Sequence, residues 1–147
     1  MSIQTGTPFS VVNGTNYGDN AGVANGVGTG SFADVVGDPS AVPANSPQTN
    51  GPLLFNPNAF ATPQGLTFGN SGRNFLRNPG RTNFDMGIFK TFHVTERQTV
   101  QFRFEGFNVF NHTQWTGVNS SYGQDGFMEP SGSHLGRILQ FGLKYAF

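Results

Sequence analysis

Few residues of this sequence have the types and spacing that covalent chemistry or metal binding needs. His93, His112 and His134 could supply imidazole ligands, but they lie far apart and lack the His-x-x-x-His spacing that brings two rings to one metal ion. The serine, histidine and aspartate residues form no nucleophile elbow. The glycine run at 26–30 neither follows a clear strand nor opens a helix, which argues against phosphate binding. We therefore expect no catalytic residues, no enzymatic activity, no metal site and no bound cofactor.

A set of charges in the last third of the chain could also serve a function. Arg103 and Glu105 are two residues apart, so on a strand both would project from the same face. Asp85 and Lys144 could join them from neighbouring strands. These charges could line a path for a substrate or for protons. They could also form a ladder that stabilises a polar sheet face, where each cross-strand pair contributes about 0.2–1 kcal/mol, and the spacing favours the ladder.

The element that would carry Lys144 is the closing run of residues 137–147. Its side chains alternate in polarity with a period of two, which indicates a strand with two different faces. One face is apolar and mainly aromatic, with Leu139, Phe141, Leu143, Tyr145 and Phe147, and the other carries Ile138, Gln140, Gly142, Lys144 and Ala146. Such a strand is typical of a barrel wall that faces lipid on one side and a wet lumen on the other.

Two preceding runs, residues 83–94 and 98–110, repeat this alternation. Their apolar residues are Phe84, Met86, Ile88, Phe92 and Val94 in the first run, and Val100, Phe102 and Phe104 in the second. Residues 95–97 form a tight polar connection, whereas residues 111–136 form a long polar loop. Each run is long enough for the roughly 9–11 residues that a tilted membrane strand needs, and short turns at one end with long loops at the other are typical of outer-membrane barrels.

The rest of the sequence gives weaker signals. After Gly106 the alternation slips, which suggests a bulge or a bend where the strand leaves the sheet. Residues 8–12 suggest a strand and residues 32–36 a shorter one, among long loops rich in Gly, Asn and Pro. We therefore expect an all-β fold with an antiparallel meander of strands at about 83–94, 98–110 and 137–147, and one further strand near the N-terminus.

Several segments, in this order and spacing, resemble the C-terminal end of TonB-dependent outer-membrane receptors, in particular the Oar-like members with an N-terminal carboxypeptidase-regulatory-like domain. The segments are Gly69–Asn74, Asn83–Asp85, Phe89–Phe92, Thr95–Arg97, Gln101–His112 and Leu139–Phe147. Such receptors are barrels of about 22 strands with an internal plug domain. No plug, energy-coupling box or export signal is visible here, so we expect this chain to be the final part of a longer receptor.

The resemblance implies roles for the chain and for its parts. It implies an outer-membrane location and nutrient uptake without covalent catalysis, with periplasmic energy-coupling and barrel-assembly machinery as partners. The closing strand, with Leu139, Phe141, Leu143, Tyr145 and Phe147, would be the aromatic-ended signal that the assembly machinery reads. Residues 1–147 would form a single β-rich unit, loop-rich over 1–82 and meander over 83–147. Asp85, Arg103, Glu105 and Lys144 would lie on the lumen side.

The sequence is also compatible with a different class of function, that of a self-assembling structural protein. A sheet of three or four strands cannot close a barrel, and open edges with aromatic faces recruit other chains. On its own, the chain would then self-associate as a structural protein, a ring or an extracellular fibre, through a face that carries Phe84, Met86, Ile88, Phe92, Val100, Phe102 and Phe104. Otherwise the same face would contact lipid. The net charge of zero, with only 11% of residues charged, argues against a nucleic-acid partner.

Two aromatic residues of the long loop have a separate interpretation. Trp115 and Tyr122 could anchor the protein at the membrane interface, or they could stack against a ligand as part of an extracellular loop. The interface girdle is the default for such residues in a barrel. A soluble glycan-binding β-sandwich is a third possibility, and only these two residues point to it.

Overall fold

The computed structural model describes residues 1–14, 31–44, 48–64 and 67–147, and the glycine run at 26–30 lies outside them. Apart from one short 3₁₀ helix at Pro57–Ala59, the regular structure of the described residues is β-strand. In these residues no helix has the length and apolar character needed to cross a membrane. The strands in chain order are β1 (Ser2–Gln4), β2 (Pro8–Phe9), β3 (Val12–Asn13), β4 (Asp34–Val35), β5 (Phe60–Ala61), β6 (Leu76–Arg77), β7 (Arg81–Asn83), β8 (Met86–Thr95), β9 (Gln98–Phe107), β10 (Trp115–Val118), β11 (Ser121–Tyr122), β12 (Pro130–Ser133) and β13 (Ile138–Ala146).

The chain divides into two compact units that both use discontinuous segments. The first unit contains Met1–Thr5, Gly80–Gln114 and His134–Phe147, and the second contains Gly6–Pro79 and Trp115–Ser133. The single β-rich unit expected over residues 1–147 stays a prediction, whereas the boundary expected after residue 82 differs from the boundaries of these units.

The first unit is built on an antiparallel sheet of three long strands, in the order β13, β9, β8. The strands have 10, 10 and 9 residues in chain order, and the turn between β8 and β9 consists of two polar residues, Glu96 and Arg97. The predicted meander is therefore present, with each strand shorter at one or both ends than expected. A smaller pair, β1 with β7, belongs to the same unit.

Strand β9 ends earlier than the sequence suggests. Residues 108–110 were expected to continue the strand, but Asn108 and Asn111 have φ angles of 50° and 51°, in the left-handed region that asparagine tolerates best after glycine. The Asn111 amide donates to the Asn108 carbonyl at 2.8 Å, which closes a turn. The slip in alternation after Gly106 is thus the bend at the strand end. The bulge in this sheet lies elsewhere, between His93 and Thr95.

The second unit has short strands around a small core. Its buried apolar residues are Val11, Ala33, Ala59, Phe60, Val118, Phe127 and Met128. The strand expected at 8–12 is present as two short strands, β2 and β3, with Ser10 and Val11 between them. The Val11 carbonyl accepts from the Ala33 amide, and Ser10 Oγ accepts from the Asn74 amide. The strand expected within 32–36 is confirmed as β4.

The expectation that residues 111–136 form only a polar loop is wrong. This segment contains β10, β11 and β12, and β10 pairs with β12 as an irregular antiparallel hairpin. The sequence does not predict these strands, because their glycine, serine and proline residues show no regular alternation of polar and apolar side chains. β11 pairs in parallel with β3, more than 100 residues away in sequence.

Candidate functional site

The register of the long strands gathers the apolar side chains on one face. Directly opposed residues of neighbouring strands share a face, and Ile88, Phe104 and Phe141 are opposed in this way. We call this side the apolar face; its members are Met86, Ile88, Lys90, Phe92, Val100, Phe102, Phe104, Gly106, Leu139, Phe141, Leu143 and Tyr145. The sequence assigned the apolar side chains of this list to one face, together with Val94, which lies at the register shift between His93 and Thr95. Their contact with lipid or with another copy of the chain stays a prediction.

Many side chains of the apolar face are exposed to solvent. Phe141 and Leu143 are 68% and 74% exposed, and Ile88 and Phe92 are also more than half exposed. The rings of Phe104 and Phe141 pack at 5.0 Å between centroids, so the face is a continuous aromatic surface across β9 and β13. Exposed apolar surfaces of this kind mark sites of contact with a membrane or a partner.

Lys90 is the charged member of the apolar face. Its Nζ lies 5.8 Å from the centroid of the Phe92 ring. Lysine can keep its charged end in a polar layer while its methylene stem covers apolar neighbours. Lys90 is the fifth of the ten residues of β8 and is opposed by Phe102, so it puts one charge near the middle of the apolar face.

Two predicted members lie beyond the ends of these strands. Phe84 precedes β8, and its ring packs against that of Phe110 at 5.2 Å between centroids. Phe147 follows β13, stacks on Tyr145 at 5.8 Å and is 94% exposed. The role of Phe147 and its neighbours as an assembly signal stays a prediction.

The opposite side of the sheet is the polar face. It carries Gly87, Phe89, Thr91, His93, Thr99, Gln101, Arg103, Glu105, Phe107, Ile138, Gln140, Gly142, Lys144 and Ala146. Polar and small residues predominate, and a few apolar side chains interrupt them.

The charges of the polar face do not form the cross-strand ladder that the spacing favoured. Arg103 is opposed by Phe89 and Gly142, and Lys144 is opposed by Gln101. The Arg103 guanidinium instead lies over the Phe89 ring, 5.1 Å from its centroid. A cation over an aromatic face contributes about 0.5–1 kcal/mol when exposed to water.

Asp85 does not join these charges. It precedes β8, and both of its carboxylate oxygens accept from Asn83 Nδ2 at 2.8 Å. One of them also accepts the backbone amide of Asn108 at 3.0 Å. Asp85 therefore fixes the turn at which β9 ends, because the left-handed Asn108 presents its amide there.

A polar cluster missed by the sequence reasoning lies in the first unit. Gln114 is only 4% exposed; its Oε1 accepts from Arg81 Nε at 2.8 Å, and its Nε2 donates to the Thr82 carbonyl at 2.9 Å. A cavity of about 400 Å³ beside it is lined by Arg81, Asp85 and His134 among others. Nothing in the sequence spacing marks Gln114, since its partners come from a segment more than 30 residues earlier. The donors and acceptors of this glutamine are satisfied internally, which indicates a structural role.

The second unit contains an open groove beside the β10–β12 hairpin. It has a volume of about 620 Å³ and is lined by Trp115, Asn50 and a series of serines. Trp115 is half-buried there. Tyr122 does not line this groove; its ring packs edge-on against Phe127 in the core at 5.4 Å. The two aromatic residues considered together from sequence therefore have different environments.

The comparison with known protein families gives one match. A family model described as an outer membrane beta barrel domain matches residues 1–140. No curated protein and no solved structure matches the chain. The family match confirms the expected outer-membrane location and, with the antiparallel strands, the expected all-β fold class of barrel type.

Proposed function

The chain belongs to the outer membrane beta barrel domain family, and on that premise we propose that β8, β9 and β13 are membrane-crossing strands in the barrel of a TonB-dependent receptor. The receptor imports a large or scarce nutrient and performs no covalent catalysis. Its apolar face contacts lipid and its polar face lines the lumen. Energy coupling and barrel assembly involve periplasmic machinery.

The observation that carries the proposal is the separation of the two faces over strands of membrane length. The strands have 10, 10 and 9 residues, within the roughly 9–11 that a tilted strand needs to cross a bilayer. Along each strand, apolar side chains alternate with polar or small ones in register with the neighbouring strand. Lipid-facing and lumen-facing residues alternate in this way in outer-membrane barrels. Receptor function is supported by the ordered motifs from Gly69–Asn74 to Leu139–Phe147 described above.

The lumen side of this proposal includes Arg103, Glu105 and Lys144. Their register spaces the charges over the polar face instead of pairing them directly. A wet lumen allows this arrangement, because water solvates each charge. The three charges can then act on a passing solute as a mixed polar lining.

Tryptophan placement tests which face contacts lipid. The chain has a single tryptophan, so a Trp115→Phe background lets one new indole report on one site. Phe102→Trp places it on the apolar face, and Gln101→Trp, one residue earlier, places it on the polar face. Each full-length variant is reconstituted into bilayers that contain brominated lipids, which quench indoles in contact with them. We expect strong quenching at position 102 and weak quenching at position 101.

Equal quenching at the two positions would contradict the assignment of the faces. Aqueous acrylamide is the matching control, because it should quench position 101 more than position 102. Heat-dependent mobility on gels shows that both variants fold.

The receptor function needs a separate test in cells. A strain that lacks this protein is compared with one that lacks the energy-coupling protein, on nutrients too large for passive diffusion. We expect both strains to lose growth on the same nutrient. If the strain that lacks this protein grows on every nutrient that the strain without the energy-coupling protein cannot use, TonB-dependent import is contradicted. The barrel assignment is unaffected by that result.

A second candidate function is self-assembly as a structural protein. Within the described residues, β8 and β13 each pair with β9 only, so each has one edge free to hydrogen-bond another strand. Detergent-free size exclusion and negative-stain microscopy separate the two candidates. Regular rings or fibres that form without lipid favour self-assembly, whereas solubility that depends on detergent favours the membrane role.

A further inference from the structure

The groove of the second unit has an uncharged, hydroxyl-rich lining. Trp115 and Ser133 are opposed in register, and Ser120, Ser121 and Ser131 also line the groove. None of the lining residues that the structure describes carries a charge. The volume of about 620 Å³ lies within the range of small-molecule sites.

The hairpin is shaped so that its polar groups can reach the groove. Register shifts on both sides of Gly117 bend β10, as bulges do. A Cβ at Gly117 would lie 3.0 Å from Ser131 Oγ, and one at Gly132 would lie 3.0 Å from Thr116 Oγ1. The two glycines therefore leave room for hydroxyl groups of the opposite strand.

Two neighbouring polar side chains are already hydrogen-bonded within the protein. Glu129 is 2% exposed, and its carboxylate accepts the backbone amides of Thr49 and Asn50, which fixes the segment that carries the Asn50 side chain. The Asn119 side chain accepts from the Ser121 amide and donates to the Asp125 carbonyl. The exposed hydroxyls of Ser131 and Ser133 remain as donors and acceptors at the rim.

We propose that this groove binds a neutral glycan, with Trp115 as the stacking platform and Ser131 and Ser133 as hydrogen-bonding groups. An aromatic ring with a hydrophobic face suits the C–H face of a sugar ring, while hydroxyls and amides match its edge. The described lining residues carry no charge, so uronic acids, phosphorylated sugars and charged peptides would lose hydration in the groove without gaining an ion pair there. This binding is independent of which solute the barrel transports.

Because Trp115 is the single tryptophan of the chain, it reports directly on the groove. The full-length protein, in a detergent without a sugar headgroup, is applied to an array of neutral and acidic glycans. The best neutral glycan is then titrated while tryptophan emission and its quenching by acrylamide are followed. We expect binding of neutral glycans, a blue shift of the emission and protection from acrylamide.

Variants measured by calorimetry assign the residues. Trp115→Ala should weaken binding roughly tenfold or more, whereas Trp115→Phe should keep most of it because a ring remains. Ser131→Ala and Ser133→Ala should each weaken binding about three- to tenfold. Ser40→Ala, an exposed serine outside the groove, is the matched control and should have no effect.

Three results would overturn the proposal: no neutral glycan on the array binds, acidic glycans bind as well as neutral ones, or Trp115→Ala binds like the unchanged protein. Circular dichroism of Trp115→Ala shows whether the second unit remains folded. If that variant unfolds, the Ser131→Ala and Ser133→Ala variants decide, and unchanged affinity in both overturns the proposal.

Discussion

Two phenylalanines, Phe60 and Phe141, have opposite environments in the two units of this chain. In the second unit Phe60 is 4% exposed and packs edge-on against Phe127 at 5.7 Å. In the first unit Phe141 is 68% exposed although it lies in the middle of a regular strand. The second unit buries Phe60 and Phe127 in a small core of its own, whereas the meander exposes a row of apolar side chains.

From this difference we predict that the two units are stabilised in different surroundings. The second unit has a core of its own, of the kind that a water-facing region needs. The long strands hydrogen-bond to one another in one sheet and leave an apolar face exposed, an arrangement that suits an apolar solvent on that side. Each prediction below tests whether the two environments differ in this way.

The largest expected effect is in the core of the second unit. Phe60→Ala removes a buried ring and leaves a cavity, so we expect it to lower the free energy of unfolding by about 3–5 kcal/mol. Phe141→Ala leaves no enclosed cavity, and its loss of apolar contact with lipid should cost roughly 1–2 kcal/mol. Denaturant unfolding of both variants in lipid vesicles measures the difference. Equal losses would contradict the contrast between a closed core and an open face.

The next effect compares two residues on the central strand. Phe104→Lys puts a second charge on the apolar face, opposite Ile88 and Phe141, where we expect a loss of about 2–4 kcal/mol in a bilayer. Gln101→Lys puts the same charge on the polar face and should change stability by less than about 1 kcal/mol. The measurement is reversible unfolding in vesicles of each variant. A loss of similar size at both positions would mean that the polar face is also out of contact with water.

The sequence predicted the meander well because its long strands alternate in polarity with a period of two. Leu139, Phe141 and Leu143 could be assigned to one face without coordinates, since each side of a membrane strand faces a single environment along its length. The strand ends were less predictable. Asn108 ends β9 through its left-handed backbone and the acceptor that Asp85 provides, and neither feature has a polarity pattern.

The second unit was difficult to predict because its strands show no regular alternation of polarity. Its strands have two to four residues, too few to show a period, and they pair over long separations, as Val12 does with Ser121. Its buried polar groups take partners from the backbone. The carboxylate of Glu129, for example, accepts amides about 80 residues earlier in sequence. The groove beside Trp115 depends on these pairings, so the sequence suggested a role for Trp115 but not its surroundings.

A smaller effect tests how tightly the second unit is packed. Gly69 has a φ of 78°, and a Cβ there would lie 2.1 Å from the Phe32 carbonyl oxygen. Gly72 has a similar φ of 73°, but no atom of the described residues lies within 4 Å of a Cβ built there. Gly72→Ala should therefore cost only the backbone term, about 1–2 kcal/mol, and Gly69→Ala should cost clearly more. Thermal unfolding of the two variants measures both losses of stability. Equal losses would show that the backbone around Phe32 can move away from the added methyl group at little energetic cost.

The prediction with the smallest expected effect tests whether the polar face is in contact with water. Phe89→Leu removes the ring under the Arg103 guanidinium but keeps an apolar side chain, and Phe89→Tyr keeps the ring as the matched control. A cation over an aromatic ring is worth about 0.5–1 kcal/mol in water and about 2 kcal/mol or more when water is excluded. If the face lines a wet lumen, Phe89→Leu should lower the free energy of unfolding in vesicles by the smaller amount. The larger loss would mean that the face is dry and packed against another sheet, as in a fibre. The magnitude of this one substitution therefore separates the barrel from the assembly.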